Sequence, residues 1–334
     1  MWQTALVNYA PAPYSVELRQ VPVSDPGPGE VLVDVRAVAV CGSDLHQWHG
    51  SHGWEVNYPV VLGHEFAGVV AQVGDASCPF KVGSRVVSET AAVIDPISVW
   101  SRSGLYNLDP ARKGFGYGVD GAMARYVRVP DRCLHGLADE LTMDQAALTE
   151  PCCVAYNATV NNANIRPGDS VVVLGPGPIG ILCGVIAQLQ GADVAIVGLD
   201  RDRLRLKIAE QYGMMALVGD AEAWADADVV LDATGSSRAL EVALNLVRPA
   251  GWITKVGWGT EPYGFSLDPL VQKNVTLRGS FSHNYPVWEK VLRLLTAGRL
   301  DVKPLMGGCW PLAQWRDAFE AMDSGRIIKA VINP

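Results

Sequence analysis

An α/β fold is predicted, in which a doubly wound parallel sheet is joined to a second, β-rich domain, and three observations predict it. Short β-branched runs separated by Gly and Pro fill the chain to about residue 150. Strand and helix patterns alternate from Gly168 to about Arg278. A glycine-rich turn, Gly175-Pro176-Gly177-Pro178-Ile179-Gly180, lies between the first strand and the first helix of that alternating part.

Taken in order, the β-rich part carries runs at Ala5–Val7, Glu30–Val40, Gly68–Val73, Ser84–Val87 and Ala124–Val129, which read as a mostly antiparallel unit. Thr90 to Gly118 has weak periodicity and reads as a loop-rich excursion. In the alternating part, strands are expected at Val171–Leu174, Val194–Val197, Val229–Asp232, Trp252–Val256 and Val275–Arg278. Helices are expected at Ile179–Gln190 and Arg203–Tyr212. The tail, from about Lys290, carries a helix pair and a final run, Lys329–Asn333, expected to rejoin the first domain. No internal repeat or low-complexity tract interrupts this plan.

Composition fits two domains. At 334 residues, with 49% hydrophobic residues and 34 glycines, the chain can bury sizeable cores. Its 27 basic and 35 acidic residues give a net charge of -8 with no basic run, which disfavours a nucleic-acid or anionic-membrane partner. The longest apolar stretch, Val171 to Ala187, is broken by Gly175, Pro176, Gly177, Pro178 and Gly180, so no membrane span is expected. The start, Met1 to Val7, lacks the basic and apolar regions of a signal peptide, and a cytoplasmic protein is expected. Seven cysteines, an odd number with no CxxC spacing, suit a reducing compartment.

The glycine turn is a candidate dinucleotide site because it follows an apolar strand directly and opens a helix. Gly175 permits the tight turn, Gly177 lets backbone approach a pyrophosphate, and Gly180 lets helix and strand pack closely. Pro178 and Ile179 begin the helix whose N-terminus favours negative charge. Asp200, after the second strand, lies at about the offset where a carboxylate takes ribose hydroxyls and repels a 2′-phosphate, which favours NAD over NADP. Asp200 also suits a helix cap, and Arg201, Arg203 and Arg205 on the same turn offer a phosphate some accommodation.

Two short motifs carry the other chemistry. Cys41-Gly42-Ser43-Asp44-Leu45-His46 and Gly63-His64-Glu65 offer a thiolate, an imidazole and carboxylates to one divalent metal, with a hydroxyl and a second imidazole to pass a proton. A metal site together with a dinucleotide suggests hydride transfer.

These residues together resemble the medium-chain, zinc-dependent alcohol and polyol dehydrogenases, of the sorbitol dehydrogenase kind. The likeness runs through Glu30-Val31-Leu32-Val33, Cys41 to Asp44, Gly63 to Gly68 with Gly74, Val82 to Val86, Gly121 to Tyr126, Glu150-Pro151, the Gly175 turn and Asp232 to Gly235. The resemblance implies a GroES-like catalytic domain over 1–153 and 291–334, a Rossmann domain over 154–290, and an active site in the cleft between. It implies that Cys41 and His64 bind zinc, with Glu65 and Glu150 supplying the remaining ligand, and that Ser43 and His46 relay a proton. Zinc lowers the pKa of bound water from about 15.7 to about 7, and an alcohol should respond in kind. Asp44 matches a carboxylate that orients His64, and Lys329 a base near that carboxylate. The substrate implied is a secondary alcohol of a polyol or sugar, and the assembly a homodimer or homotetramer.

The chain departs from the pattern twice. Many relatives carry a structural zinc on four close cysteines, whereas none occurs here between Cys78 and Cys133, so one zinc per chain is expected. The lobe at 90–100 would then be held by packing of Ile94, Ile97, Val99 and Trp100, or against another subunit. After Arg278, where polyol enzymes place an Arg or Tyr, this chain has Gly279-Ser280-Phe281-Ser282-His283-Asn284. Trp48, His49, His52, Trp54 and Asn157 are candidates to line the pocket, with core or surface packing as the competing reading. The alternatives are a zinc-free, NADPH-dependent enone or quinone reductase on the same fold and a nucleotide-binding protein without catalysis.

Overall fold

Eight strands open the chain: β1 (Trp2–Asn8), β2 (Val16–Pro22), β3 (Glu30–Ala39), β4 (Val60–Val61), β5 (Glu65–Val73), β6 (Arg85–Ser88), β7 (Tyr126–Pro130) and β8 (Leu134–Gly136). Six follow: β9 (Ser170–Leu174), β10 (Asp193–Gly198), β11 (Met215–Val218), β12 (Ala227–Asp232), β13 (Val247–Lys255) and β14 (Thr276–Gly279). The chain closes on β15 (Met306–Pro311) and β16 (Lys329–Asn333). The structure is a computed structural model that describes residues 1–219 and 221–334.

Two units result, one of residues 1–150 and 283–334 and the other of residues 151–282. The boundaries fall at 150/151 and 282/283, against 153/154 and 290/291 from the sequence. The second moves because the helix Tyr285–Thr296 is anchored by Trp288, which stacks on His135 of the first unit with ring centroids 5.3 Å apart.

In the first unit a seven-stranded sheet runs β15-β16-β3-β5-β6-β8, with β7 also on β3, and a smaller sheet runs β2-β1-β4. Pairing is antiparallel except between β15 and β16. β3 is the middle of the large sheet and is buried along nearly all its length, which is why apolar residues fill both of its faces apart from Glu30, Asp34 and Arg36. Its valines pack with Phe66, Met123, Phe319 and Ile332 into one core. Because β16 lies on one side of β3 and β5 on the other, the two ends of the sequence come together at the C-terminal end of β3.

The second unit is a six-stranded parallel sheet ordered β11-β10-β9-β12-β13-β14, the Rossmann arrangement. The five expected strands are present. β11 is an addition that the sequence concealed: as an edge strand with Met215 and Val218 exposed, it shows no clear periodicity.

Within the chain, the lobe at 90–100 is not held by Ile97, Val99 and Trp100, which are 69%, 68% and 40% exposed. The lobe is instead gathered by the Asp109 carboxylate, which accepts from the Asp95 and Ala111 N–H groups at 2.8 and 2.9 Å and from the Ser98 and Ser101 hydroxyls at 3.1 and 3.0 Å. One buried anion thus ties four points of an irregular loop. The Ala111 N–H foremost, with the other donors, holds its carboxyl below the usual carboxylate range.

Candidate active site

Cys41 lies two residues past the end of β3 and caps the helix Gly42–Trp48, where its N–H is taken by the Asp44 carboxylate at 2.8 Å. His64 and Glu65 stand at the start of β5, turned into place by Gly63 at φ +91. A Cβ on Gly63 would lie 2.7 Å from Met123 and 2.9 Å from Val38, so both the conformation and the packing exclude a side chain there. The strand register sets Glu65 opposite Ala39, two residues before Cys41 in the chain. As a result the ligand atoms of Cys41, His64 and Glu65 all lie within 4.8 Å of one another.

Lys329, on β16, reaches the same end of β3 and donates to Glu65 at 2.6 Å and to the Val40 carbonyl at 2.9 Å. The base expected near Asp44 is close enough for its charge to act on that carboxyl, and its hydrogen-bonded partner is Glu65, because Glu65 on β5 and Lys329 on β16 both reach over the end of the central strand. Burial favours the uncharged form of Glu65 and raises its pKa, with Lys329 opposing. Burial also works against a charged His64, but Cys41, by charge and hydrogen bond, together with Asp44 and Glu150, outweighs it and lifts the pKa well above the usual range. The neighbouring acidic groups thus favour positive charge at the His64 ring.

The donor chemistry fits zinc: a thiolate, an imidazole and a carboxylate converge, and the Ser43 hydroxyl, two residues from Cys41, is buried with no hydrogen-bond partner among the described residues. Glu150, in the helix Thr149–Tyr156, stands outside the group of three and is bonded instead to His283, whose Nε2 lies 3.0 Å from its Oε1. Burial pushes the Glu150 carboxyl up, yet the His283 hydrogen bond and the fields of His64 and Lys329 hold it below its ordinary value.

His46 is exposed and its Nδ1 lies 3.1 Å from the Ser51 hydroxyl, so the structure does not join it to Ser43. Among the residues expected to line a pocket, Trp48 is core, edge-on to Trp315 and Phe319. His49 meets Asp323 and His52 meets Tyr58. Trp54 sits edge-on to His46. Asn157 is buried and donates to the Ser282 carbonyl at 2.8 Å.

In the second unit the glycine turn has the expected form. Gly175 has φ +96, and a Cβ on Gly180 would fall 1.9 Å from the Gly175 carbonyl, whereas one on Gly177 meets nothing within 4 Å. That open space at Gly177 is where a phosphate can approach the N-terminus of the helix Pro178–Leu189, with Pro178 at its first position and Ile179 next. Beyond β10, Asp200 is exposed and engaged by Arg203 at 2.8 Å, and Arg205 lies 3.7 Å from Asp202. The roles of His283 and Trp288 were not visible in the sequence, since His283 and Glu150 are 133 residues apart with no motif linking them.

Comparison with known proteins supplies a lineage. Residues 27–139 match the model of the alcohol dehydrogenase GroES-like domain, and residues 178–297 that of the zinc-binding dehydrogenases. Sorbitol dehydrogenase of Halalkalibacterium halodurans is 35% identical over 95% of both chains. Among solved structures, 2R,3R-butanediol dehydrogenase from Bacillus subtilis superposes with a TM-score of 0.89 at 27% identity, covering 99% of each chain. The cobalt- and zinc-bound thermostable alcohol dehydrogenase from Pyrobaculum aerophilum does so with a TM-score of 0.89 at 26% identity, covering all of both chains.

Proposed function

Because the chain belongs to the medium-chain, zinc-type alcohol and polyol dehydrogenase family, we propose that it transfers a hydride between a secondary alcohol, of a polyol or sugar, and NAD. The observation that carries the reading is the convergence of Cys41, His64 and Glu65. These three would hold one zinc, with Glu150 beside them. A zinc ion there supplies Lewis acidity that eases loss of the substrate hydroxyl proton. The unpartnered Ser43 hydroxyl is available to hydrogen-bond that substrate group, and the exposed His46 ring to pass the proton onward. Lys329 orients Glu65 by its hydrogen bond and favours the charged form against the cost of burial.

NAD would lie with its pyrophosphate over Gly177 and the start of the helix at Pro178, which is supported by the open space there. Asp200 would meet the ribose by giving up Arg203, and Arg205 would stay near Asp202. The sugar or polyol preference is supported by the sorbitol dehydrogenase relative. The zinc-free reductase and the non-catalytic reading both leave the convergent donors without a purpose. The exposed edge strand β14 supports pairing of two sheets in a homodimer, or a tetramer built from it. No helix among the described residues is long and apolar enough to cross a membrane, and the odd cysteine count without CxxC spacing supports a reducing, cytoplasmic setting.

The test is metal analysis of the purified protein together with a panel of polyols, sugars and simple alcohols offered with NAD and with NADP. Stoichiometric zinc and polyol-dependent NADH formation are expected. Full turnover by chelated, metal-free protein would overturn the zinc assignment, and turnover with NADP alone would overturn the role given to Asp200.

A further inference from the structure

A buried chain of polar groups runs behind the candidate metal donors from Trp288 through His283 to Glu150. Trp288 lies on the apolar face of the helix Tyr285–Thr296 and is 1% exposed, fixed by its stacking on His135. Its indole Nε1–H donates to His283 Nδ1 at 2.7 Å, the two rings meeting edge to face at 80°. On its other side, His283 Nε2 faces Glu150 Oε1 at 3.0 Å. Both His283 and Glu150 are buried.

Hydrogen-bond chemistry assigns the histidine tautomer. An indole nitrogen can only donate, so Nδ1 of His283 must accept and the ring hydrogen must sit on Nε2, directed at Glu150. With its Nδ1 lone pair taken, the ring offers the carboxylate a single N–H and leaves its negative charge to act on other neighbours. The backbone supports the same placement: Ser282, immediately before His283, adopts φ +55, which a non-glycine residue rarely does, and Asn157 holds its carbonyl.

We propose that His283 is a positioning residue for Glu150: set as an Nε2–H donor by Trp288, it holds that carboxylate as an oriented anion beside the Cys41, His64 and Glu65 donors. The inference rests on the zinc reading above and deepens it. Glu65 then serves as the resting carboxylate donor, while Glu150 is kept in place by a bond that reaches it from outside the donor group. Supporting bonds of this kind commonly change metal affinity or activity by about 10–100-fold when removed.

Nitrogen-15 spectra of histidine-labelled protein, with the His283 signals identified by their absence in His283→Gln, read the tautomer directly with and without zinc. An unprotonated Nδ1 and a protonated Nε2 are expected, and Trp288→Phe, which keeps a ring but removes the donor, should let the proton redistribute to Nδ1. Zinc affinity by chelator competition should fall about 10–100-fold in His283→Leu. It should recover in His283→Gln, whose amide carries both an acceptor and a donor, and kcat should follow the same order with the secondary structure unchanged by circular dichroism. A protonated Nδ1 in the wild-type protein overturns the proposal. So does zinc affinity and turnover in folded His283→Leu equal to wild type. If His283→Leu does not fold, wild-type zinc affinity together with an unchanged tautomer in Trp288→Phe overturns it as well. Wild-type protein that takes up no zinc overturns the metal reading and this inference together, whereas zinc uptake insensitive to His283 and Trp288 overturns this inference alone.

Discussion

The donor cluster of the first unit and the glycine turn of the second are both candidate binding sites, yet they are built by opposite means. The turn is local backbone: residues 175–180 set its shape, and the work is done by what glycine lacks, with a Cβ impossible at Gly180 and harmless at Gly177. The cluster is made of side chains from the segment after β3, the start of β5 and β16, brought to one point by strand register. A backbone site depends on conformation, whereas a side-chain site depends on every strand around it keeping its place.

The sharpest way to break that contrast is to remove a donor. Cys41→Ser or His64→Ala should abolish bound zinc and lower activity by more than the about 100-fold that loss of a supporting partner costs. Nucleotide affinity by fluorescence titration should hardly move. Parallel loss of nucleotide binding would mean that the two sites are not separable.

Next in size is Lys329→Met, which leaves the buried Glu65 carboxylate without its cation. Breaking a buried pair on one side costs about 3–5 kcal/mol, readable in denaturant unfolding. A change under about 1 kcal/mol, the scale of an exposed ion pair, would show that Glu65 is solvated in solution.

The glycine turn gives a smaller and more selective pair. Gly180→Ala forces a methyl against the Gly175 carbonyl and should cost about 1–3 kcal/mol in stability as well as nucleotide affinity. Gly177→Ala should leave the melting temperature unchanged and weaken only the nucleotide. Equal melting temperatures for the two variants would remove the packing argument.

The smallest effect lies in the lobe. Because the Asp109 carboxyl is held below its usual range, the order it provides is fully present above the ordinary carboxylate pKa of about 3.9 and is lost as pH falls through the depressed value. Asp109→Asn should speed hydrogen exchange at the Asp95 and Ala111 amides at neutral pH, and the wild-type protein should show the same loosening only in acid. Identical exchange in both proteins at neutral pH would show that the lobe is held by something else.

Much of this was legible in advance for stated reasons. Val171 to Leu174 followed by Gly175, Gly177 and Gly180 reveals strand, turn and helix because steric exclusion acts over a few residues. Cys41, His64 and Glu65 could be named as candidate donors because they fall in two short motifs. β11 was not legible, since an edge strand shows no clean alternation. Trp48 was read as a possible pocket residue, but a helical face turned toward Trp315 and Phe319 can be recognised only once the C-terminal helix is in place.

The pieces whose physics is short-ranged are written in the order of residues alone: the apolar runs that become strands, the glycine turn, and the kinds of donor that suit zinc. The pairings come only from the tertiary structure, which sets Lys329 on Glu65 beside Asp44, His283 on Glu150, and Asp109 at the hub of the lobe. Hydrogen bonds and ion pairs act over about 3 Å, while the residues that make the first two of these are separated by more than a hundred positions in the chain. Only the register of the sheet and the packing of the last helices bring them within that distance.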